Sequence, residues 1–244
     1  MKIENAVALV TGANRGIGLA FARELLERGA RKVYATARDP ATVTQSGVQA
    51  LRLDVNKPED VAAVAALASD VTLVINNAGV AQLGGFLAAD SEEVARRLFE
   101  TNFFAMLRMS KAFAPILKGN GGGALLNVLS AASWVNGGEL AAYSASKSAA
   151  WSLTNALRNE LAVQKTQVLA LHMAGVDTDL TRGLDVPKSS PQEIVRRALD
   201  GLESGLDEVL ADELTLQVKR GMTAARPSYL PQASLNPTCV APTS

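Results

Sequence analysis

Residues 10–18, Val-Thr-Gly-Ala-Asn-Arg-Gly-Ile-Gly, lie between an apolar run at 6–10 and a segment where Ile17, Phe21 and Leu25 recur at four-residue spacing. A short apolar run, then glycines, then helical periodicity reads as strand, tight turn and helix. Gly12, Gly16 and Gly18 let the backbone turn sharply and approach a ligand, while the helix start offers unpaired N–H groups and a favourable dipole. The expected occupant is a pyrophosphate, met by Gly12, Asn14, Arg15, Gly16, Ile17 and Gly18. The spacing is Gly-x-x-x-Gly-x-Gly, not the commoner Gly-x-Gly-x-x-Gly, and a glycine turn with no ligand is the alternative.

Outward from this turn, apolar runs alternate with amphipathic segments of helix length. Residues 6–10, 32–37, 50–54, 72–76, 124–130 and 168–173 read as strands, apolar on both faces, as in a parallel sheet covered by helices. Helices are expected at 16–28, closed by Gly29, and at 58–69, opened by Pro58. A long one starts at Asp90, which forms a capping-box pattern with Glu93, and reaches about Lys118. Two more are expected at 142–164 and at 191–204, the last capped by Ser189-Ser190. The fold class is therefore α/β: one domain over 1–244, a doubly wound parallel β-sheet with helices on both faces and a ligand at the strands' carboxyl ends. A substrate loop is expected at about 174–190, and a tail at about 223–244, with four prolines, extended or docked.

Composition narrows the classes. Apolar residues make up 48% of the 244, enough for a large core. Lys plus Arg and Asp plus Glu are both 24, and no basic run carries interleaved aromatics, so nucleic acid is not an expected partner. Cys239 is the single cysteine, so no intrachain disulfide forms. With no signal-peptide pattern and no bilayer-length apolar run, the expectation is a cytoplasmic protein without a membrane partner. One histidine, His172, and one cysteine do not make a zinc site, and His172 reads as a buried, hydrogen-bonded strand residue.

Charge at the second strand bears on the cofactor. An acidic residue there would hold the ribose 2′-hydroxyl of NAD. Here the strand ends Ala35-Thr36-Ala37 and Arg38 follows, with Arg15 in the glycine turn. Two guanidiniums suit a 2′-phosphate, which favours NADP(H) over NAD(H). The plainer reading makes Arg38 a solvated loop charge and Asp39 the cap of the next short helix.

Tyr143 and Lys147 stand one helical turn apart, thirteen residues beyond Ser130 at the end of the fifth strand. Each alone is ordinary; a Tyr-x-x-x-Lys pair is usually a solvated helix pair. Beside a dinucleotide they describe a proton donor for a carbonyl oxygen. Tyrosine titrates near ~10, so bringing it to neutral pH costs roughly 4 kcal/mol, which the Lys147 ammonium together with the positive nicotinamide ring of the oxidised cofactor would supply. Ser130 would hydrogen-bond the substrate oxygen. A Ser130–His172 hydrolase pair lacks the Gly-x-Ser-x-Gly elbow.

Over about residues 5–180 these motifs resemble the short-chain dehydrogenase/reductase family, in its non-extended form. Asn76-Asn77-Ala78-Gly79 is similar to the family's Asn-Asn-Ala-Gly motif, and Asp54-Val55 resembles the pair that contacts adenine. The resemblance implies a Rossmann-type sheet, reversible NAD(P)(H)-dependent chemistry at a carbonyl or alcohol, and a catalytic tetrad of Asn102, Ser130, Tyr143 and Lys147. It also implies that Lys147 holds the nicotinamide ribose, that Asn102 organises a proton-relaying water, and that Asn77, Ala78, Gly79, Val176 and Thr178 meet the cofactor.

The chain departs from the family after the sixth strand, where Met173-Ala174 replaces the usual Pro-Gly and Gly175 stands where a larger side chain is common. Gly175 is expected to open space beside the hydride, within a mostly apolar wall of Trp134, Val135, Met173, Ala174, Gly175, Leu180 and Leu184 that suits a hydrophobic, aryl or bulky ketone or aldehyde. Residues 209–211 read as a last short strand and 212–222 as helix, which departs from tetramers built on paired C-terminal strands. A homodimer on the two long helices is the expected assembly, with Trp151, Leu153 and Leu157 as interface or core residues and a tetramer as the alternative. The rival activities are an NAD-linked alcohol dehydrogenase and a cofactor-binding regulatory protein without turnover.

Overall fold

The computed structural model describes residues 1–182 and 187–230. In chain order the elements are β1 (Val7–Val10), α1 (Gly16–Glu27), β2 (Lys32–Ala37), β3 (Gln49–Arg52), α2 (Pro58–Leu67), β4 (Leu73–Asn76) and α3 (Ser91–Phe99). There follow α4 (Ala105–Gly119), β5 (Ala124–Val128), α5 (Ala141–Ala162), β6 (Gln167–His172), α6 (Pro191–Glu203), β7 (Glu208–Leu210) and α7 (Glu213–Gly221). The described strands form one parallel sheet in the order β3-β2-β1-β4-β5-β6-β7. Strand order reverses at β1 and β4, so the crevice for a ligand lies beyond their carboxyl ends.

Alternate residues of each central strand feed opposite core layers. Val10, Ile75, Leu126 and Leu171 pack under α1 and α6 with Phe21, Leu25, Ile194 and Leu199. Leu9, Val74, Leu125 and Val168 pack under α2, α4 and α5 with Val64, Phe113, Leu117 and Leu161. Both faces are dry, which is why these strands read as unbroken apolar runs. β3 departs from that expectation: Gln49, Ala50 and Arg52 are exposed, because β3 is an edge strand.

The helix ends follow their capping chemistry, with one correction. Gly29 closes α1 at φ +79°, the Ser190 hydroxyl accepts from Glu193 N–H at the start of α6, and the Asp39 carboxylate caps the turn at Pro40–Thr42. Asp90 does stand at the start of α3, but the expected capping box is not formed. Asp90 has ψ 8° rather than an extended backbone, and its side chain makes no capping hydrogen bond. The long helix is also interrupted by a π-turn at Glu100–Phe104, a local widening that carries Asn102. Residues 223–230 fold back on α7, where Ser228 bonds the carbonyls of Gly221 and Val218. Among the described residues no helix is long and apolar enough to cross a membrane.

Candidate active site

The glycine turn is built for close approach. Gly12 and Gly16 adopt φ +65° and +54°. A Cβ on Gly18 would stand 2.1 Å from the Gly12 carbonyl oxygen and 2.6 Å from Asn77 Nδ2. Arg15 precedes α1 and its side chain makes no capping hydrogen bond to the helix start. Thr11 ties this turn to the one after β4: its hydroxyl accepts from the N–H groups of Asn77 and Ala78, both at 2.9 Å. Asn77 Nδ2 returns bonds to the carbonyls of Thr11 and Gly12. A bare, rigid cradle with a free helix N-terminus fits a dinucleotide pyrophosphate.

A cleft with a cavity volume of about 90 Å³ runs from this cradle to the end of β5. Ile17, Asn77, Gly79, Ser130, Tyr143, Lys147, Met173, Ala174, Val176, Thr178 and Leu180 line it, together with Val80, Val128, Leu129 and Thr181. Fifteen residues from distant segments thus meet at the strands' carboxyl ends. Leu180 is half exposed, at the cleft's rim.

The Tyr143 phenol and the Ser130 hydroxyl line the same cleft, where Ser130 favours the phenolate. Burial pushes the Tyr143 pKa up, and Ser130 pulls it down, with the net shift upward. The Lys147 ammonium stands 5.9 Å from the Tyr143 ring centroid and donates to the Val128 carbonyl oxygen at 2.9 Å. Burial drops Lys147 itself to about 8.

Asn102 is 1% exposed and its amide is fully paired. Oδ1 accepts from Val80 N–H, while Nδ2 donates to the Val80 carbonyl and to Ser146 Oγ, all at 2.9 Å. Ser146 Oγ in turn donates to the Tyr143 carbonyl at 2.7 Å. A Cβ on Gly79 would stand 3.3 Å from Asn102 Oδ1 and 3.7 Å from Lys147 Nζ, so the missing side chain leaves these two groups facing one small gap.

Other expected residues lie elsewhere. Arg38 is exposed and makes no hydrogen bond or ion pair among the described residues. Arg15 is paired with Asp179 at 3.0 Å, so it is engaged across the cleft mouth rather than free. Asp54 accepts from Asn56 N–H, and Val55 lines a smaller hollow with Ala78, Thr101 and Met106. Trp134 does not line the cleft: it is 7% exposed and stacked on His172 at 4.0 Å, because the turn after Ser130 carries it toward α7. Val135 is also outside the lining, as is Gly175, whose carbonyl accepts from Ser189 N–H. Leu184 and Cys239 lie outside the described residues. Leu157 is core, and Trp151 packs edge-on against Trp134.

Sequence reasoning missed two supports and the partner of a third, His172, which it expected to be buried and hydrogen-bonded. Asn76, Asn127 and Thr154 form a buried chain of bonds at 2.8 and 3.0 Å across β4, β5 and α5. His172 Nδ1 lies 3.0 Å from the Ser130 carbonyl, which fixes the donor tautomer at that nitrogen, and burial lowers its pKa to about 3. Asp212 reaches Ala174. Their residue types are common and their partners are distant in sequence, so no local signal marks them. Among the described residues no cluster of three histidine, cysteine or acidic groups could hold a metal.

Comparison with known proteins decides the family. The short chain dehydrogenase family model matches residues 6–188. The chain belongs to the short-chain dehydrogenase family. Members are oxidoreductases that use a nicotinamide cofactor, which agrees with the cradle and cleft. A short-chain dehydrogenase from Burkholderia cenocepacia J2315, solved in complex with NADP, is 41% identical with a TM-score of 0.89, covering 93% of this chain and 96% of that one. The 3-oxoacyl-acyl-carrier-protein reductase of Vibrio cholerae is 33% identical over 76% of this chain and 79% of its own length. The D-erythrulose reductase of Gallus gallus is 34% identical over 86% and 87%.

Proposed function

We propose that this protein is a cytoplasmic NADP(H)-dependent carbonyl reductase acting on a hydrophobic ketone or aldehyde, reversible with the alcohol. The observation that carries the reading is the meeting of Ser130, Tyr143 and Lys147 in the cleft that opens from the glycine cradle. When bound, the reduced nicotinamide supplies a hydride to the carbonyl carbon. Tyr143, kept protonated by burial, gives its proton to the carbonyl oxygen. Ser130 hydrogen-bonds that oxygen as charge develops. Lys147 holds the ribose and meets the phenolate left behind, and Asn102 organises the path by which the proton is restored. Gly12, Gly16 and Gly18 with the start of α1 would hold the pyrophosphate, and Val176 and Thr178 the far wall of the cofactor site.

Arg38, exposed and uncommitted, supports a 2′-phosphate, and the similar Burkholderia structure contains NADP. One observation favours the NAD-linked alternative: Arg15 is already paired with Asp179. Met173, Ala174 and Leu180 give the cleft its apolar side, which supports a hydrophobic substrate. The test is NADPH consumption with a panel of aryl and aliphatic ketones and aldehydes, run in parallel with NADH. Turnover with NADH alone would overturn the cofactor assignment.

A further inference from the structure

Asp212 is 8% exposed and far from the glycine cradle in sequence, yet it touches the wall of the cleft. Its two carboxylate oxygens divide their work. Oδ1 accepts from Thr215 N–H at 2.8 Å and caps α7. Oδ2 accepts from Ala174 N–H at 2.7 Å, a charge-assisted length. Ala174 lines the same cleft as Ser130, Tyr143 and Lys147.

The turn that Asp212 grips needs an external support. Met173 and Ala174 leave φ unrestricted, where a proline would fix it. The backbone before Ala174 is held on its other side, since the Met173 carbonyl accepts from Ala131 N–H at 2.9 Å and the His172 carbonyl accepts from Ala211 N–H at 2.9 Å. Ala131 directly follows Ser130. A continuous line of bonds therefore runs from the start of α7 through Asp212, Ala174 and Met173 to the serine that faces the substrate oxygen.

We infer that Asp212 is a positioning residue for the catalytic end of the cofactor site: it fixes the turn at Met173–Val176 against which the nicotinamide half of the dinucleotide rests. This rests on the dinucleotide reading above. Asp212 touches neither the pyrophosphate cradle nor Arg38, so its influence is confined to one end of the cleft.

The two roles of Asp212 separate by substitution. Asp212→Ser keeps a side-chain cap for α7 but is too short to reach Ala174. Asp212→Asn keeps one acceptor oxygen for the two N–H groups. The full chain is titrated with NADPH and, separately, with adenosine 2′,5′-bisphosphate, which occupies only the adenine end. The serine variant is expected to bind NADPH about tenfold more weakly, the order of one charge-assisted hydrogen bond, with asparagine in between. The bisphosphate affinity is expected to match wild type in both variants, which also shows that they are folded. Unchanged NADPH affinity in the serine variant overturns the inference. Equal weakening for both ligands overturns it too, because Asp212 would then serve the fold as a whole. Wild-type protein that binds neither ligand refutes the dinucleotide reading itself, and this role with it.

Discussion

The Lys147 ammonium is tethered to the carbonyl oxygen of Val128, two residues before Ser130, and not to Tyr143, its neighbour on the same helix. The lysine therefore approaches the active site from the strand side, and burial holds it at about 8. Tyr143 remains protonated well above that, since its own shift is upward. For carbonyl reduction, kcat/KM is expected to be level up to about pH 8 and to fall beyond, as Lys147 loses the charge that meets the phenolate. Lys147→Met should lower kcat/KM by about 10²-fold or more and remove that limb. A limb that persists unchanged in the variant assigns it to another group.

His172 is fully buried between Trp134 and the Ser130 carbonyl, and burial lowers it from 6.5 to about 3. The unfolded chain then binds the additional proton between those values. Stability is accordingly complete above about pH 6.5 and lost progressively as pH falls toward 3. Urea midpoints measured across that window should fall for wild type and fall less for His172→Gln. Parallel curves would remove His172 as the cause.

Cofactor choice is expected to turn on Arg38. Arg38→Asp should move the ratio of kcat/KM for NADPH over NADH toward NADH by about tenfold or more, since a paired phosphate contact becomes a repulsion. Asp179→Asn releases Arg15 from its ion pair and should raise NADPH affinity by a smaller factor, because that pair is exposed. Steady-state kinetics with both cofactors decide between the two arginines.

Gly18→Ala places a methyl group 2.1 Å from the Gly12 carbonyl oxygen. The backbone of the cradle has to move, at an expected cost of about 1–3 kcal/mol in stability together with loss of NADPH binding. Denaturation and titration of the same preparation test both. Wild-type values in each would mean that the turn is looser than its packing indicates.

The sheet was legible in the sequence because four central strands are buried on both faces, so burial wrote itself into the chain as unbroken apolar runs. β3, an edge strand, was less regular, since one flank is open to water. The glycine turn and the Ser130, Tyr143 and Lys147 series were legible as local spacings, and the fold brings them into one cleft. Trp134 shows where such reading stops. Its apolar ring suggested a cleft wall, but apolarity does not tell which side of a turn a side chain takes, and His172 and Lys219 hold it on the far side. Asp212 was invisible for a related reason. An Asp before a helix reads only as a cap, and its second bond spans 38 residues.

The central claim is that Tyr143 gives the proton that completes carbonyl reduction. The most direct measurement is NADPH consumption against the carbonyl panel with wild type and Tyr143→Phe, alongside NADPH binding to both. The account predicts turnover in wild type, a loss of about 10²–10⁴-fold in the variant, and near-equal cofactor affinity. A phenylalanine variant that reduces the same carbonyl at the wild-type rate would contradict it.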